Sequence, residues 1–318
     1  MIVRLARSLL VMFGISVLVF LIFFATPGAD PAARLAGRGA SAEALAAVRH
    51  EYGLDRSLPV QYGLLMHRLF IAGDLQSQVN RGQRVVPAVL RAAPVTLSLA
   101  LGAAVVWLLA GLAIGLVAAA REDSAWDRAV TALGLVGISI PVFWLGEVVN
   151  LLTQSRLHDT WAFRWVPPLG YVPLSENPGG WARGLVLPWL TLALLYAGVY
   201  GRVLRSSLIE AYRQDYIRTA RAKGAGEWRV ILKHALRGGL LPVVSFLGPA
   251  LAGIISGSFV VETIFQIPGI GRSFITSALN RDHSMIMGTV IFFAVLIIAF
   301  NLFVDVLQVF LNPRLRFG

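Results

Sequence analysis

The chain contains no cysteine in its 318 residues, which excludes disulfides, thiol nucleophiles and cysteine-ligated metal. Charge is also scarce. Asp, Glu, Lys and Arg make up 14% of the sequence, against about 25% in soluble domains. Lysine occurs only at Lys223 and Lys233. Neither follows the glycine that a phosphate-binding loop places before its lysine, because Ala222 and Leu232 stand there. ATP hydrolysis by that route is excluded, so an ATP-driven process would need a separate subunit. No GxSxG elbow is present. His50, His67, His158, His234 and His283 lack the close spacing of a zinc helix. No catalytic residue and no metal ligand is assigned, which leaves a membrane enzyme without a reactive centre.

What is abundant is apolar surface. Hydrophobic residues make up 57% of the chain and the mean hydropathy is +0.71, the composition of an all-α polytopic membrane protein. The runs fit about six spans of the ~20 residues needed to cross the hydrocarbon core. They are expected at Leu9 to Ala25, Val95 to Ala119, Ala129 to Leu152, Leu185 to Leu204, Leu240 to Ile264 and Ile286 to Phe310. The first is too long and too poor in a cleavage site for a signal peptide, so it reads as a retained span.

Arg4, Arg7, Arg121, Arg128, the segment after the fourth span, Arg314 and Arg316 place their segments on the cytoplasmic side, with both termini inside. The net charge of +11 is explained by this topology and needs no nucleic acid partner. After the first span, PGADP at Pro27 to Pro31 ends the helix, and an outer helix is expected from Ser41 to Glu51 with Ser41 as N-cap. A second amphipathic stretch runs from Val60 to Phe70.

In the spans, Gly111 with Gly115, and Gly253 with Gly257, have the spacing that lets helices approach closely, and packing is their first reading. The fifth span carries GPALAGIISGS, with Pro249 expected to kink it. Pro249, Gly253, Ser256, Gly257 and Ser258 make it the first choice for an element facing a polar passage, with Glu262 at its outer end as a gate residue or one reaching interfacial water. Glu147 and Asp305 are further ionisable residues near membrane depth. Asp305 stands four residues after Asn301, where a structural polar contact is the plainer reading.

The segment from Tyr216 to Pro242 is long, basic and helical in pattern. It holds Arg218, Arg221, Lys223, Arg229, Lys233 and Arg237. Gly224 and Gly226 interrupt it, and Glu227 favours a second helix start through the helix dipole. In that second helix Trp228, Ile231, Leu232 and Ala235 are expected on an apolar face, with Arg229, Lys233 and Arg237 on a basic stripe. Two readings follow: a helix lying on anionic lipid headgroups, or a docking element for a soluble partner.

Several fragments occur in one order: PGADP, GLDRSLPVQY from Gly53, GDL at Gly73, PVTLSLA from Pro94, SIPVFWLG from Ser139, YIRTARAKG from Tyr216, HALR from His234, LLP from Leu240, VETIFQIPGIG from Val261 and NPRLRFG from Asn312. Together they resemble the permease subunits of dipeptide and oligopeptide ABC importers, specifically the partner with the long outer segment after its first span. The resemblance implies a type I, MetI-like permease fold. It also implies an N-terminal helix plus outer segment over 1–92 and a five-helix core over 93–318, with a coupling helix at about 214–238. Tyr216, Arg218, Thr219, Ala220, Arg221, Lys223, Gly224, Ala225, Gly226 and Glu227 are the implied ATPase-coupling residues. Of the general EAA-xxx-Gly motif, only Ala220 and Gly224 are kept.

The implied partners are a second homologous permease, two cytoplasmic ABC ATPase subunits and an extracytoplasmic binding protein, with membrane lipids around them. The implied site is a bacterial inner membrane. ATP and Mg would sit on the ATPases and no cofactor on this chain. The implied activity is alternating-access import of di- and oligopeptides, with glutathione, nickel chelates or oligosaccharides as other cargoes of the same branch. A stand-alone secondary transporter is the competing class, opposed by the few intramembrane carboxylates and the lack of an inverted repeat.

Overall fold

A computed structural model describes residues 2–24, 32, 36, 39–80 and 82–311; PGADP, Arg314, Arg316 and NPRLRFG lie outside them. The apolar runs fold as helices, several extending beyond the expected spans. Helix α1 is Ile2–Phe24, α2 is Ala42–Glu51 and α3 is Leu58–His67, continued by a π-helical turn, Arg68–Ala72. Next come α4, Val85–Ala120, α5, Ala125–Ser139, and α6, Val142–Leu151. Helix α7 is Pro178–Tyr212. Its 35 residues reach about 52 Å at 1.5 Å per residue, well past a hydrocarbon core of about 30 Å. Among the described residues the only β pairing is an isolated bridge between Gln76 and Arg84.

Among the described residues, five helices are long and apolar enough to cross a membrane. A sixth span is present if 125–137 and 142–155 are taken together across their 98° bend. That bend corrects the expectation of one continuous span from Ala129 to Leu152. Pro141 is the N-cap of α6, and Ile140 before it is extended at φ −88°, ψ 122°. A residue preceding proline is pushed out of the helical region, so the chain turns there.

The chain forms two compact units. One comprises Met1–Thr96 with Pro268–Ile298, the other Leu97–Ile267 with Ala299–Gly318. In the first unit, Ser41 caps α2 as expected, accepting the Ala44 N–H at 3.2 Å. Helices α12, Ile270–Leu279, and α13, His283–Leu311, begin in this unit. Asp282, 2% exposed, accepts the Ser77 hydroxyl, the Gln78 N–H at 3.1 Å and the Met285 N–H at 3.2 Å. The Ser77 oxygen in turn accepts the Asn80 N–H at 2.8 Å. One buried carboxylate thus caps α13 and pins the loop before α4.

In the second unit, small residues set the helix contacts. A β-carbon at Gly111 would stand 2.7 Å from the Tyr200 β-carbon, and one at Gly115 would stand 2.7 Å from the Gly201 carbonyl oxygen. Helices α4 and α7 therefore touch through backbone, as the Gly111/Gly115 spacing predicts. Trp107 is fully buried beside Tyr196 and Tyr200, with ring centroids 5.2 and 5.6 Å away. Asp127 on α5 and Arg205 on α7 form a bidentate ion pair, with the carboxylate buried and the guanidinium partly exposed.

Candidate functional site: the basic lever and the fifth apolar helix

Helix α8, Asp215–Ala222, leaves α7 after the turn at Arg213 and Gln214. Its inner face carries Ile217, fully buried, and Ala220, 8% exposed. Lys223 closes it, Gly224 follows at φ +79°, and the Ala225 and Gly224 N–H groups donate to the carbonyls of Ala220 and Arg221 at 3.2 and 2.9 Å. This is a Schellman stop, which needs a left-handed residue and so favours glycine at 224. Gly226, extended, is then the N-cap of α9, Glu227–Arg229. Helix, turn, helix is therefore observed, with Glu227 in the first turn.

Glu227 does more than favour a helix start. Its carboxylate accepts from Arg221 Nε at 2.9 Å and from a terminal nitrogen of the same guanidinium at 3.1 Å, so the pair clips the two arms of the turn together. The Arg221 guanidinium lies 5.9 Å from the Tyr212 ring centroid, and the Glu227 carboxylate holds it above its ordinary pKa. Arg218 pairs with Asp215 at 3.5 Å. Of the ten expected coupling residues, Ala220 is buried and Ala225 half-buried, while the remainder are exposed.

The second arm departs from the expected periodicity. After α9 comes a π-helical stretch, Val230–Ala235, and then α10, Leu236–Ser245. A π turn bonds i to i+5 and so rotates side chains away from a 3.6-residue register. Val230, Ile231 and Ala235 are consequently buried, whereas Trp228 is 70% and Leu232 54% exposed. The expected apolar face is split in two. Arg229, Lys233 and Arg237 stay exposed, so the outer surface of the arm mixes aromatic, aliphatic and cationic groups.

Helix α11, Leu247–Ile264, is separated from α10 by one residue, Phe246. The break falls where Pro249 dictates: with no N–H, it cannot bond the Ser245 carbonyl four residues back. The six expected pathway residues do not share one face. Pro249 and Ser256 are exposed and Gly253 and Gly257 half-buried, while Ser258 and Glu262 are fully enclosed. Glu262 is thus not held in open water, and Ser258 spends its hydroxyl on the Ile255 carbonyl at 2.8 Å. A β-carbon at Gly253 would collide with the Tyr196 hydroxyl, and one at Gly257 would touch Leu192 at 3.4 Å. Both glycines pack α11 against α7.

Residues 111–317 match the model of the family described as "Binding-protein-dependent transport system inner membrane component", and residues 1–100 match that of its N-terminal component. The chain belongs to this family. The permease is 40% identical over 314 residues to a protein of Brucella abortus (strain 2308) named "Putative peptide transport system permease protein", covering 99% of this chain and 98% of that one. It is also 34% identical over 275 residues to the oligopeptide transport system permease proteins OppB of Haemophilus influenzae and of Escherichia coli K12, covering 86% of each chain in both cases. The permease is a multi-pass inner-membrane subunit of an ABC importer and is not itself an enzyme.

Sequence reasoning missed both guanidinium–carboxylate clamps. The Arg221–Glu227 clamp had a visible signal, opposite charges on either side of a glycine turn. The Asp127–Arg205 clamp had only Asp127 in a first helical turn to suggest it.

Proposed function

We propose that the permease carries di- and oligopeptides inward by alternating access, paired with a second homologous permease. Two ABC ATPases would drive it, and an extracytoplasmic binding protein would supply it. The substrate reading is supported by the names of its relatives. The docking reading rests above all on one observation: an exposed turn at Gly224 stiffened by the Arg221–Glu227 clamp and flanked by exposed Trp228 and Leu232. A partner surface would gain from covering those side chains, which a purely solvated basic helix has no reason to display.

In this reading both termini and the lever at 214–238 are cytoplasmic. Residues 1–92 form an N-terminal helix with an outer segment, and 93–318 form the permease core. Tyr216, Arg218, Thr219, Lys223, Gly224, Ala225 and Gly226 meet the ATPase, while Ala220, Arg221 and Glu227 hold the turn in shape. The exposed positions of α11, Pro249 and Ser256, border the route, Gly253 and Gly257 hold the helix close to α7, and buried Ser258 and Glu262 support it from behind.

The test is purification of the tagged permease from its native membrane, followed by reconstitution and peptide uptake. Two ATPases, a second permease and ATP-dependent uptake are expected. A stable homo-oligomer lacking any ATPase would overturn the reading. Uptake of glutathione, a nickel chelate or an oligosaccharide instead of peptide would replace the cargo alone.

A further inference from the structure

Helices α7 and α8 are joined by two residues, Arg213 and Gln214. Gln214 is extended at φ −78°, ψ 148°, so the helical hydrogen-bond ladder that would stiffen the chain is interrupted there. A force applied at Gly224 would be absorbed by bending at such a link unless something else ties the turn to α7. The base of the lever is tied by packing. Leu208 of α7 is fully buried, and a β-carbon at Gly239 of α10 would stand 3.0 Å from its side chain. A β-carbon at Gly238 would stand 3.2 Å from the Tyr216 hydroxyl of α8. Helix α10 therefore lies close against both α7 and α8, through positions that carry no side chain.

The tip is tied by side chains. Tyr212, the last residue of α7, meets the Arg221 guanidinium 5.9 Å from its ring centroid, within reach of a cation–π contact. That guanidinium belongs to the last turn of α8 and is held through Nε and a terminal nitrogen by Glu227 of α9. One ring, one guanidinium and one carboxylate thus bridge α7, α8 and α9, bypassing the link at Arg213 and Gln214. The contact belongs to the ring of Tyr212. Its hydroxyl oxygen is buried and has no hydrogen-bond partner among the described residues, which is a cost to the fold and not a reason for tyrosine there. The bidentate carboxylate also fixes the plane of the guanidinium, which the point charge of a lysine would leave free.

We propose that Tyr212 is a positioning residue for energy coupling. Through Arg221 it makes the turn at Gly224 move with α7 as one body, so that a displacement of the turn reaches the membrane helix and is not lost by bending at Arg213 and Gln214. What displaces the turn is the ATPase, and for that step the inference rests on the docking reading above. Tyr212 itself touches no partner in this scheme; it acts through the clamp that Arg221 and Glu227 form.

Because the chain has no native cysteine, full-length permease in nanodiscs can carry nitroxides at Ser206→Cys on α7 and Ala225→Cys in the turn alone, with the distance between them read by pulsed EPR. The otherwise unaltered protein should give one narrow distribution. Tyr212→Leu should enlarge a displaced population about two- to five-fold, the scale of an exposed cation–π contact, while Tyr212→Phe should keep the distribution narrow. In the assembled complex, ATP hydrolysed per peptide imported should rise by a similar factor, about two- to five-fold, in Tyr212→Leu and stay normal in Tyr212→Phe, with thermal stability and the amount of co-purifying ATPase unchanged. Arg221→Met should match Tyr212→Leu, and the two together should add little, since both break one brace. An unchanged distribution in Tyr212→Leu, an unchanged ATP-to-peptide ratio, or a Phe variant as poor as the Leu variant overturns the proposal. A loss of thermal stability or of bound ATPase in step with the ratio would make Tyr212 a folding residue and overturn it equally. A complex of the unaltered permease that lacks any ATPase defeats the docking reading alone, and the distances then decide whether the brace exists.

Discussion

At Gly224 the backbone lies at φ +79° and no described residue stands within 4 Å of where a β-carbon would sit, whereas a β-carbon at Gly115 would meet a backbone carbonyl oxygen at 2.7 Å. The first glycine supplies a conformation and the second supplies room. The two regions differ in the same sense in their ion pairs. Asp127–Arg205 joins two helices with side chains 6% and 22% exposed, while Arg221–Glu227 spans a turn with side chains 43% and 64% exposed. The helix bundle is built from close and largely enclosed contacts, which lose stability when they are loosened. The lever is built from contacts that fix a shape while leaving its surface free to meet something else.

Gly115→Leu should break the core most severely. Its side chain would have to displace the α7 backbone, at a cost upward of about 3 kcal/mol. The expected result is little or no monodisperse protein after extraction, and a normal yield would refute the packing account. Asp127→Ala comes next, because it strands the mostly enclosed Arg205 charge; about 2–3 kcal/mol is expected. Thermal unfolding in detergent should show the loss, with much of it recovered in Asp127→Leu/Arg205→Leu. If the double variant is no better than the single, the pair is not what holds α5 to α7.

The lever should respond differently. Gly224→Trp puts a bulky residue at a left-handed position, strained by roughly 1–2 kcal/mol, yet has open space around it. Insertion and yield should persist while ATP hydrolysis uncouples from uptake, and unchanged uptake would count against docking at this turn. Glu227→Gln is the mildest change. An exposed pair contributes at most about 1 kcal/mol, so stability should barely move, and any fall in coupling should be most evident at low ionic strength. A large stability loss would show that the clip belongs to the core.

The existence of the spans was legible in the sequence because hydrocarbon thickness demands long apolar runs, and the Gly111/Gly115 contact was legible because spacing alone puts both on one face. Helix lengths were not, since α4 and α7 continue through residues that no longer need to be apolar. The bend at Pro141 was written in the sequence but masked by the apolar run around it. In the lever, Gly224 and Gly226 announced the turn. The π turn at 230–235 is a matter of tertiary packing that propensity does not encode, and it undid the expected face of Trp228, Ile231, Leu232 and Ala235. Tyr212 and Arg221 meet only because the chain turns at Arg213 and Gln214, so no single helical spacing would have paired them.

The absence of native cysteine makes the central claim directly testable in this chain. Ala225→Cys, at the turn, and Trp161→Cys, at an 87% exposed position in the segment between α6 and α7, can each be the only thiol in the permease. Each is treated with a short amine-to-thiol crosslinker in the assembled complex. A crosslink from position 225 to an ATPase subunit is expected, and none from position 161. A crosslink to the ATPase from position 161 with none from 225 would contradict it.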